Sequence, residues 1–363
     1  MKRQRASLSL IRVLAPLGAL LLTLLVAAPA TAAPATTRFR EVDLVADRAG
    51  AAPLVDPKLV NPWGLALGPA TPLWAANNGT NTATIYTGGL NGATPGKAGL
   101  EVTIPGGAPT GQVFNDTAGF VVTGVNGSGP ARFLFASEDG DITGWSPAAT
   151  PTAAIVGAHV DGAVYKGLAI LHVGSTAFLL AANFKDNRID VFDSTFKRLP
   201  ELSQLFRDPE LPSDYAPFNV AVLSGAIYVT FAKREPGGSE EVTGPARGFV
   251  DVFPHVGAPA TRVASHGTLN APWGLAIAPA SFGTFAGTLL VGNFGDGRIG
   301  AYRDGHFIGL LRTRHGRAIA VDGLWALLPG TATSGGTGAL WFSAGPDDEE
   351  HGLVGQILPA KTY

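Results

Sequence analysis

The chain contains no cysteine, which excludes disulfides, thiolate nucleophiles, zinc–thiolate sites and iron–sulfur clusters. Charge is scarce too. Asp, Glu, Lys and Arg make up 15% of 363 residues, and the Lys and Arg are scattered, so no basic stripe for nucleic acid exists. Past residue 32 no apolar run approaches the roughly 18 residues that a membrane-spanning helix needs. No window carries the 3.6-residue period of an amphipathic helix. A G-x-S-x-G elbow is missing, and the histidines at 159, 172, 255, 266, 306, 315 and 351 show neither H-x-x-x-H nor H-x-H spacing. No hydrolase nucleophile and no zinc site is therefore written locally.

Glycine (48), proline (27) and hydrophobic side chains (46%) are plentiful. Gly supplies positive φ and Pro presets turn geometry, so this composition suits many short strands joined by tight turns around a large apolar core. The first 32 residues read differently. Lys2, Arg3, Arg5 and Arg12 precede the apolar run VLAPLGALLLTLLVAAPA, and Ala30-Thr31-Ala32 follows. That is the layout of a signal peptide cleaved near Ala32, and it predicts a secreted, periplasmic or extracellular protein with no stable membrane anchor. The remainder, 33–363, is expected to be a single domain and a monomer, with a formal charge of −6 from 22 Lys and Arg against 28 Asp and Glu.

A repeat sets the fold. NPWGLALGP (61–69) returns as APWGLAIAP (271–279), and aligning on its Gly-Leu-Ala finds further copies beginning at Gly119, Gly167, Asn219 and Gly323. The starts lie 55, 48, 52, 55 and 49 residues apart, so six units of about 50 residues fill the chain. Each unit continues with a second strand-like run, such as TAFLLAANF (176–184) or GTLLVGNF (287–294), then a Gly/Asp/Asn turn and a third run such as RIDVFD or RIGAYR. Units of this length with three or four antiparallel strands predict an all-β, six-bladed β-propeller. The sixth unit ends after its third strand, while residues 38–45 alternate in polarity as a half-exposed outer strand should. That N-terminal strand is expected to close the ring in the last blade.

In such a ring the first strand of each unit lines a central channel, where Gly64, Gly167, Gly274 and Gly323 and the alanines at 66, 169, 221 and 276 allow close approach. The residues before those strands and the turns after the second strands should meet at one mouth. The expected ligand-binding set is Asn61, Trp63, Asn77, Asn115, Asp116, Lys166, Asn183, Asn219, Lys233, Trp273, Asn293 and Asp322. Within it, Asn115, Asp116, Asn183, Asn219 and Asp322 supply the hard oxygen donors that a divalent cation such as Ca²⁺ would use. Asn and Asp are also ordinary turn residues, and tryptophans at such positions more often wedge between blades than stack on a ligand. The acidic loop DDEEH (347–351) is a second cation candidate or a solvated charge run.

The unit PWGLAIAP followed by GTLLVGNFGDGRIGAYR resembles an NHL-type repeat. The combination of NPWGLALGP…LWAANNGT, AANFKDNRIDVFD and APWGLAIAP…LLVGNFGDGRI resembles a family of exported bacterial propellers of uncharacterised function. More distantly the chain is similar to gluconolactonase/regucalcin-like propellers, whose resemblance implies a divalent cation at the channel mouth held by Glu, Asn and Asp. Asn115, Asn183, Asn219 and Asp322 take the analogous places here, and no Glu begins the first inner strand. LWFSAG and GRIGAY also resemble streptogramin-lyase-like propellers, implying a His-based elimination with a bound metal. Here the second strand ends in Ser343-Ala344-Gly345, and His351 alone among the histidines falls at the mouth. Two readings stand: a propeller binding a small polar ligand, peptide or cation without catalysis, and a metal-dependent hydrolase or lyase.

Overall fold

The computed structural model describes residues 38–360; the expected signal peptide lies outside them. Among the described residues the chain is built from strands and four short 3-10 helices, and no helix is long and apolar enough to cross a membrane. The strands form six antiparallel blades in chain order. Their inner strands are Pro62–Ala66, Pro109–Phe114, Tyr165–Val173, Tyr215–Leu223, Pro272–Ile277 and Leu324–Pro329.

The ring closes as the N-terminal pattern predicts. Arg38–Ala46 runs antiparallel to Leu353–Pro359, pairing Phe39 with Pro359 and Ala46 with Leu353, and becomes an outer strand of blade 6. Phe39 is 1% exposed and packs on Phe282 and Phe285, with ring centroids at 4.8 and 6.0 Å. The closing strand thus anchors an apolar cluster shared by blades 5 and 6 as well as covering a sheet edge.

Blade 2 departs from the expected register. Its inner strand is Pro109-Thr110-Gly111-Gln112-Val113-Phe114, not the segment at Gly119–Val122. Val121–Gly124 instead pairs with Gly127–Pro130 in a separate hairpin. A backbone detail marks the true register. Asn61, Ala108 and Ala271, each immediately before the Pro that opens an inner strand, all turn through left-handed φ values of 45°, 40° and 45°. A Cβ on Gly64 would meet the Thr110 carbonyl oxygen at 2.5 Å, and one on Gly274 would meet the Trp325 carbonyl oxygen at 2.7 Å. Trp325 therefore occupies the place of Thr110, and Ala326, not Gly323, is the small residue of blade 6.

This register stacks the inner strands into tiers. The first holds Trp63, Thr110, Lys166, Phe218, Trp273 and Trp325; the second holds Gly64, Gly111, Gly167, Asn219, Gly274 and Ala326. The small second tier lets adjacent inner strands approach, and the bulky first tier fills the channel above it.

Candidate functional site at the upper mouth of the channel

The upper mouth, where the inner strands begin, is stoppered by aromatic rings. Trp63 stacks on Trp325 at 3.6 Å and meets Trp273 edge-on at 6.3 Å; Phe294 stacks on the other side of Trp325 at 4.1 Å, and Phe184 and Phe218 complete the cluster. Hydrogen bonds lock the stopper. The Trp273 Nε1–H donates to the Lys166 carbonyl at 2.8 Å and the Trp325 Nε1–H to Asn61 Oδ1 at 2.9 Å. The Trp63 Nε1 is buried with no hydrogen-bond partner among the described residues.

One cation sits in this aromatic setting. Lys166 is 1% exposed, and its ammonium lies 5.3 Å from the centroid of Trp63, 5.6 Å from Phe184 and 5.9 Å from Phe218. Three carboxylates converge on it: Glu138 at 3.2 Å, Glu240 at 3.0 Å and Glu241 at 3.1 Å. Burial works against the charge, but Glu241, Glu138 and Glu240 outweigh it and hold the ammonium protonated, above the ordinary lysine range. Asn78 fixes the other oxygen of Glu138 at 3.0 Å.

A fourth carboxylate closes the ring. Glu349 accepts a hydrogen bond from the Asn61 amide at 2.5 Å. Burial pushes its carboxyl up to about 7, Glu241 and Glu138 add repulsion, and Asn61 and Lys166 pull the other way. Burial likewise raises the Glu241 carboxyl against the pull of Lys166. The physical cause is common: both carboxyls are buried, and around the single ammonium four carboxyl groups gather, more than it can neutralise. Backbone strain accompanies it. Asp347, Asp348 and Glu349 hold consecutive left-handed φ values of 57°, 52° and 66°, a costly run for residues with side chains. That run aims Glu349 at Asn61.

The structure brings together only part of the set expected from the sequence. Asn61, Trp63, Lys166 and Trp273 meet at the upper mouth. Asn115 and Asp116 lie at the opposite, lower end, because the strand of blade 2 precedes them: Asn115 accepts from Thr117 in a turn, and Asp116 pairs with His172 at 3.0 Å. The Asn77 amide nitrogen donates inside blade 1 to Thr82 and Thr84, that of Asn183 to Asp186 and Asp190, and that of Asn293 to the Thr268 carbonyl and Asp296, while the Oδ1 atoms of Asn77 and Asn293 are buried with no partner among the described residues. The Asn219 amide donates to the Trp273 carbonyl, Lys233 pairs with Asp214, and Asp322 accepts from the Asp347 backbone N–H. The expected donors Asn115, Asp116, Asn183, Asn219 and Asp322 are therefore not assembled around one point. Where the resemblance implied a divalent cation, a tethered ammonium lies among the carboxylates. No cluster of three or more His, Asp or Glu suited to a metal occurs among the described residues. This donor set does not fit the ion.

Glu240 and Glu241 escaped the sequence reading. They lie in the long loop between the second and third strands of blade 4, after Lys233 and before Phe249, where repeat alignment offers no counterpart. The signal that could have found them is that excess length, coupled to an adjacent acid pair.

Comparison with known proteins adds kinship but no activity. No protein-family model matches the chain. It is 32% identical over 332 residues to “Uncharacterized protein R648” of Acanthamoeba polyphaga mimivirus, covering 89% of this chain and 81% of that protein. “Uncharacterized protein L690” of the same virus is 32% identical over 324 residues, covering 87% and 84%. These relatives are viral, whereas the motifs resembled exported bacterial propellers. Among solved structures, a streptogramin B lyase aligns over 88% of this chain and 96% of its own, with TM-score 0.44 and 14% identity. A putative gluconolactonase aligns over 63% and 74%, with TM-score 0.39 and 17% identity.

Proposed function

The chain belongs to the same family as these two mimivirus proteins, and we propose that it is an exported propeller that binds a small, positively charged polar ligand at the upper mouth without transforming it. The observation that carries this reading is the carboxylate surplus around Lys166. The mouth already selects an ammonium, using three carboxylates and three aromatic faces, and the negative charge it gathers exceeds what that ammonium neutralises. Glu240, with its side chain 64% exposed, and Glu138, 26% exposed, present that surplus to solvent. An amine or guanidinium placed against them would gain charge-assisted hydrogen bonds, and a site of one sign with low-dielectric walls concentrates such ligands. Calorimetric titration with putrescine tests it: saturable binding that weakens with added salt supports the reading, and heat no different from dilution overturns it.

A catalytic reading is favoured by one observation. A carboxyl held near 7, as Glu349 is, can give and take a proton at neutral pH. A screen of lactones and glycosides tests it, with turnover expected to vanish in Glu349→Gln; a screen without turnover removes it.

A further inference from the structure

The first two strands of each blade are joined on the lower face, and what the connection carries differs between blades. In blade 5 it holds the 3-10 helix Ala280–Phe285, whose Phe282 and Phe285 are buried in one apolar cluster with Leu340 and Ile357 of blade 6. In blade 1 it is Leu67-Gly68-Pro69-Ala70-Thr71-Pro72, with no aromatic residue. Phe133 and Trp145 of blade 2 stand where blade 6 has Leu340 and Ile357, since each pair faces across the second and third strands of its blade. Where blade 5 lays two phenyl rings against its neighbour, blade 1 leaves a cavity of about 630 Å³.

The lining of that cavity departs from the repeat. Blade 2 pairs Phe114 with Phe133 across its first two strands, where blades 3, 4 and 5 pair Ile170 with Leu179, Val222 with Ile227 and Ile277 with Leu289. Trp74 stacks on Phe133 at 4.0 Å and meets Trp145 at 5.0 Å, and these buried rings form the floor. The walls are open to a solute: Phe114, Ala98, Leu100 and Pro72 are half-buried, and Pro69 is exposed.

A single charge stands at this cavity. Arg132, the residue before Phe133, lines it, is exposed, and pairs with no carboxylate among the described residues. The other blades place uncharged residues there: Pro72, Phe178, Ala226, Thr288 and Ala339. No acid lines the cavity, and its other polar side chain, Thr71, accepts from the Gly68 N–H at 2.8 Å. An aromatic hollow of this size with one unneutralised guanidinium has the make-up of a small-molecule site, and the guanidinium selects an anion.

We propose that the cavity between blades 1 and 2 binds a free aromatic carboxylate of about two rings. The rings take the place that Phe282 and Phe285 fill beside blade 6, lying against Phe114, Leu100 and Trp145. The carboxylate accepts charge-assisted hydrogen bonds from Arg132. The site shares no residue with the carboxylate mouth and selects the opposite charge.

Biphenyl-4-carboxylate is the probe and biphenyl-4-carboxamide its neutral counterpart, each titrated into the whole chain by calorimetry and ligand-observed NMR. Wild type should bind the carboxylate saturably and the carboxamide at least about tenfold more weakly. Arg132→Gln, at an exposed position, should bring the carboxylate down to the affinity of the carboxamide. Ala70→Trp and Leu100→Trp each place a ring in the hollow, and at least one should weaken both ligands about tenfold or more. Absence of saturable carboxylate binding in wild type would overturn the proposal. So would equal affinity for the two ligands in wild type, carboxylate binding of undiminished strength in Arg132→Gln, or unchanged binding in both tryptophan variants.

Discussion

Replacing Lys166 by Met should destabilise the protein in a pH-dependent way. The substitution keeps an unbranched apolar stem among Trp63, Phe184 and Phe218 but removes the ammonium, leaving Glu241, 6% exposed, with no opposite charge. Removing one partner of a buried pair costs about 3–5 kcal/mol when the other stays charged. For the 323 described residues the melting entropy is roughly 0.7 kcal/mol/K, which converts that cost to a melting temperature lower by about 4–7 °C. The loss should appear in full at pH 8. At pH 5 the raised carboxyls of Glu241 and Glu349 take up protons in place of the missing ammonium, and the loss should shrink to about half or less. Calorimetry of both proteins at the two pH values reads this directly. Equal losses at pH 5 and pH 8, or no loss at pH 8, would refute the charge balance drawn for the mouth.

The remaining predictions concern other links in the account. Glu349 has its folded carboxyl raised to about 7 against 4.5 unfolded, so its neutral form favours the folded state; stability should fall as pH rises from about 4.5 to 7, by ~1–2 kcal/mol after solvent screening, and Glu349→Gln should flatten that segment of the melting curve against pH. Phe39→Ala, removing the closing strand's contact with Phe282 and Phe285, should cost about 3–5 kcal/mol in denaturant unfolding; a loss below 1 would mean that the ring does not depend on it. Gly111→Ala should prevent stable folding, because its Cβ would press on the Leu168 backbone nitrogen of the next blade, whereas Gly50→Ala, at a φ of +84° with nothing within 4 Å, should cost only about 1–2 kcal/mol. Soluble expression and melting temperature distinguish the two.

The fold was largely legible because its signal is repetitive. Second and third strands carry aromatic and aliphatic side chains in every unit, and the closing strand shows its half-exposed pattern before any tertiary information. Register failed where the letters changed. Pro109-Thr110-Gly111-Gln112 puts polar side chains at two positions that are Trp and Leu in blade 1, so the apolar Gly-Phe-Val-Val of the inserted hairpin looked like the better copy. That slip carried Asn115 and Asp116 to the wrong mouth. In blade 6 a glycine in the turn before the strand masked Ala326, which does the same steric work.

The site was less legible, and for a different reason. Asn61, Lys166 and the tryptophans lie on strands whose places the repeat dictates. Glu138, Glu240, Glu241 and Glu349 come from loops of three blades, and only closure of the ring makes them neighbours. The polar residues that break the tiers, Thr110 and Lys166 among aromatics, Asn219 among small residues and Gln112 among aliphatics, are readable as exceptions once the tiers are aligned. The amide nitrogens of Asn77, Asn183 and Asn293 proved to be engaged by neighbouring groups, although the Oδ1 atoms of Asn77 and Asn293 stay buried without a partner among the described residues.

The most direct test of the central claim is a calorimetric titration of putrescine into wild type and into Glu241→Gln at low ionic strength. Saturable binding in wild type, weakened at least about tenfold in the variant and again by 0.5 M salt, is the predicted result. Binding of equal strength in both proteins, or no saturable heat in wild type, would contradict a cation-selecting mouth.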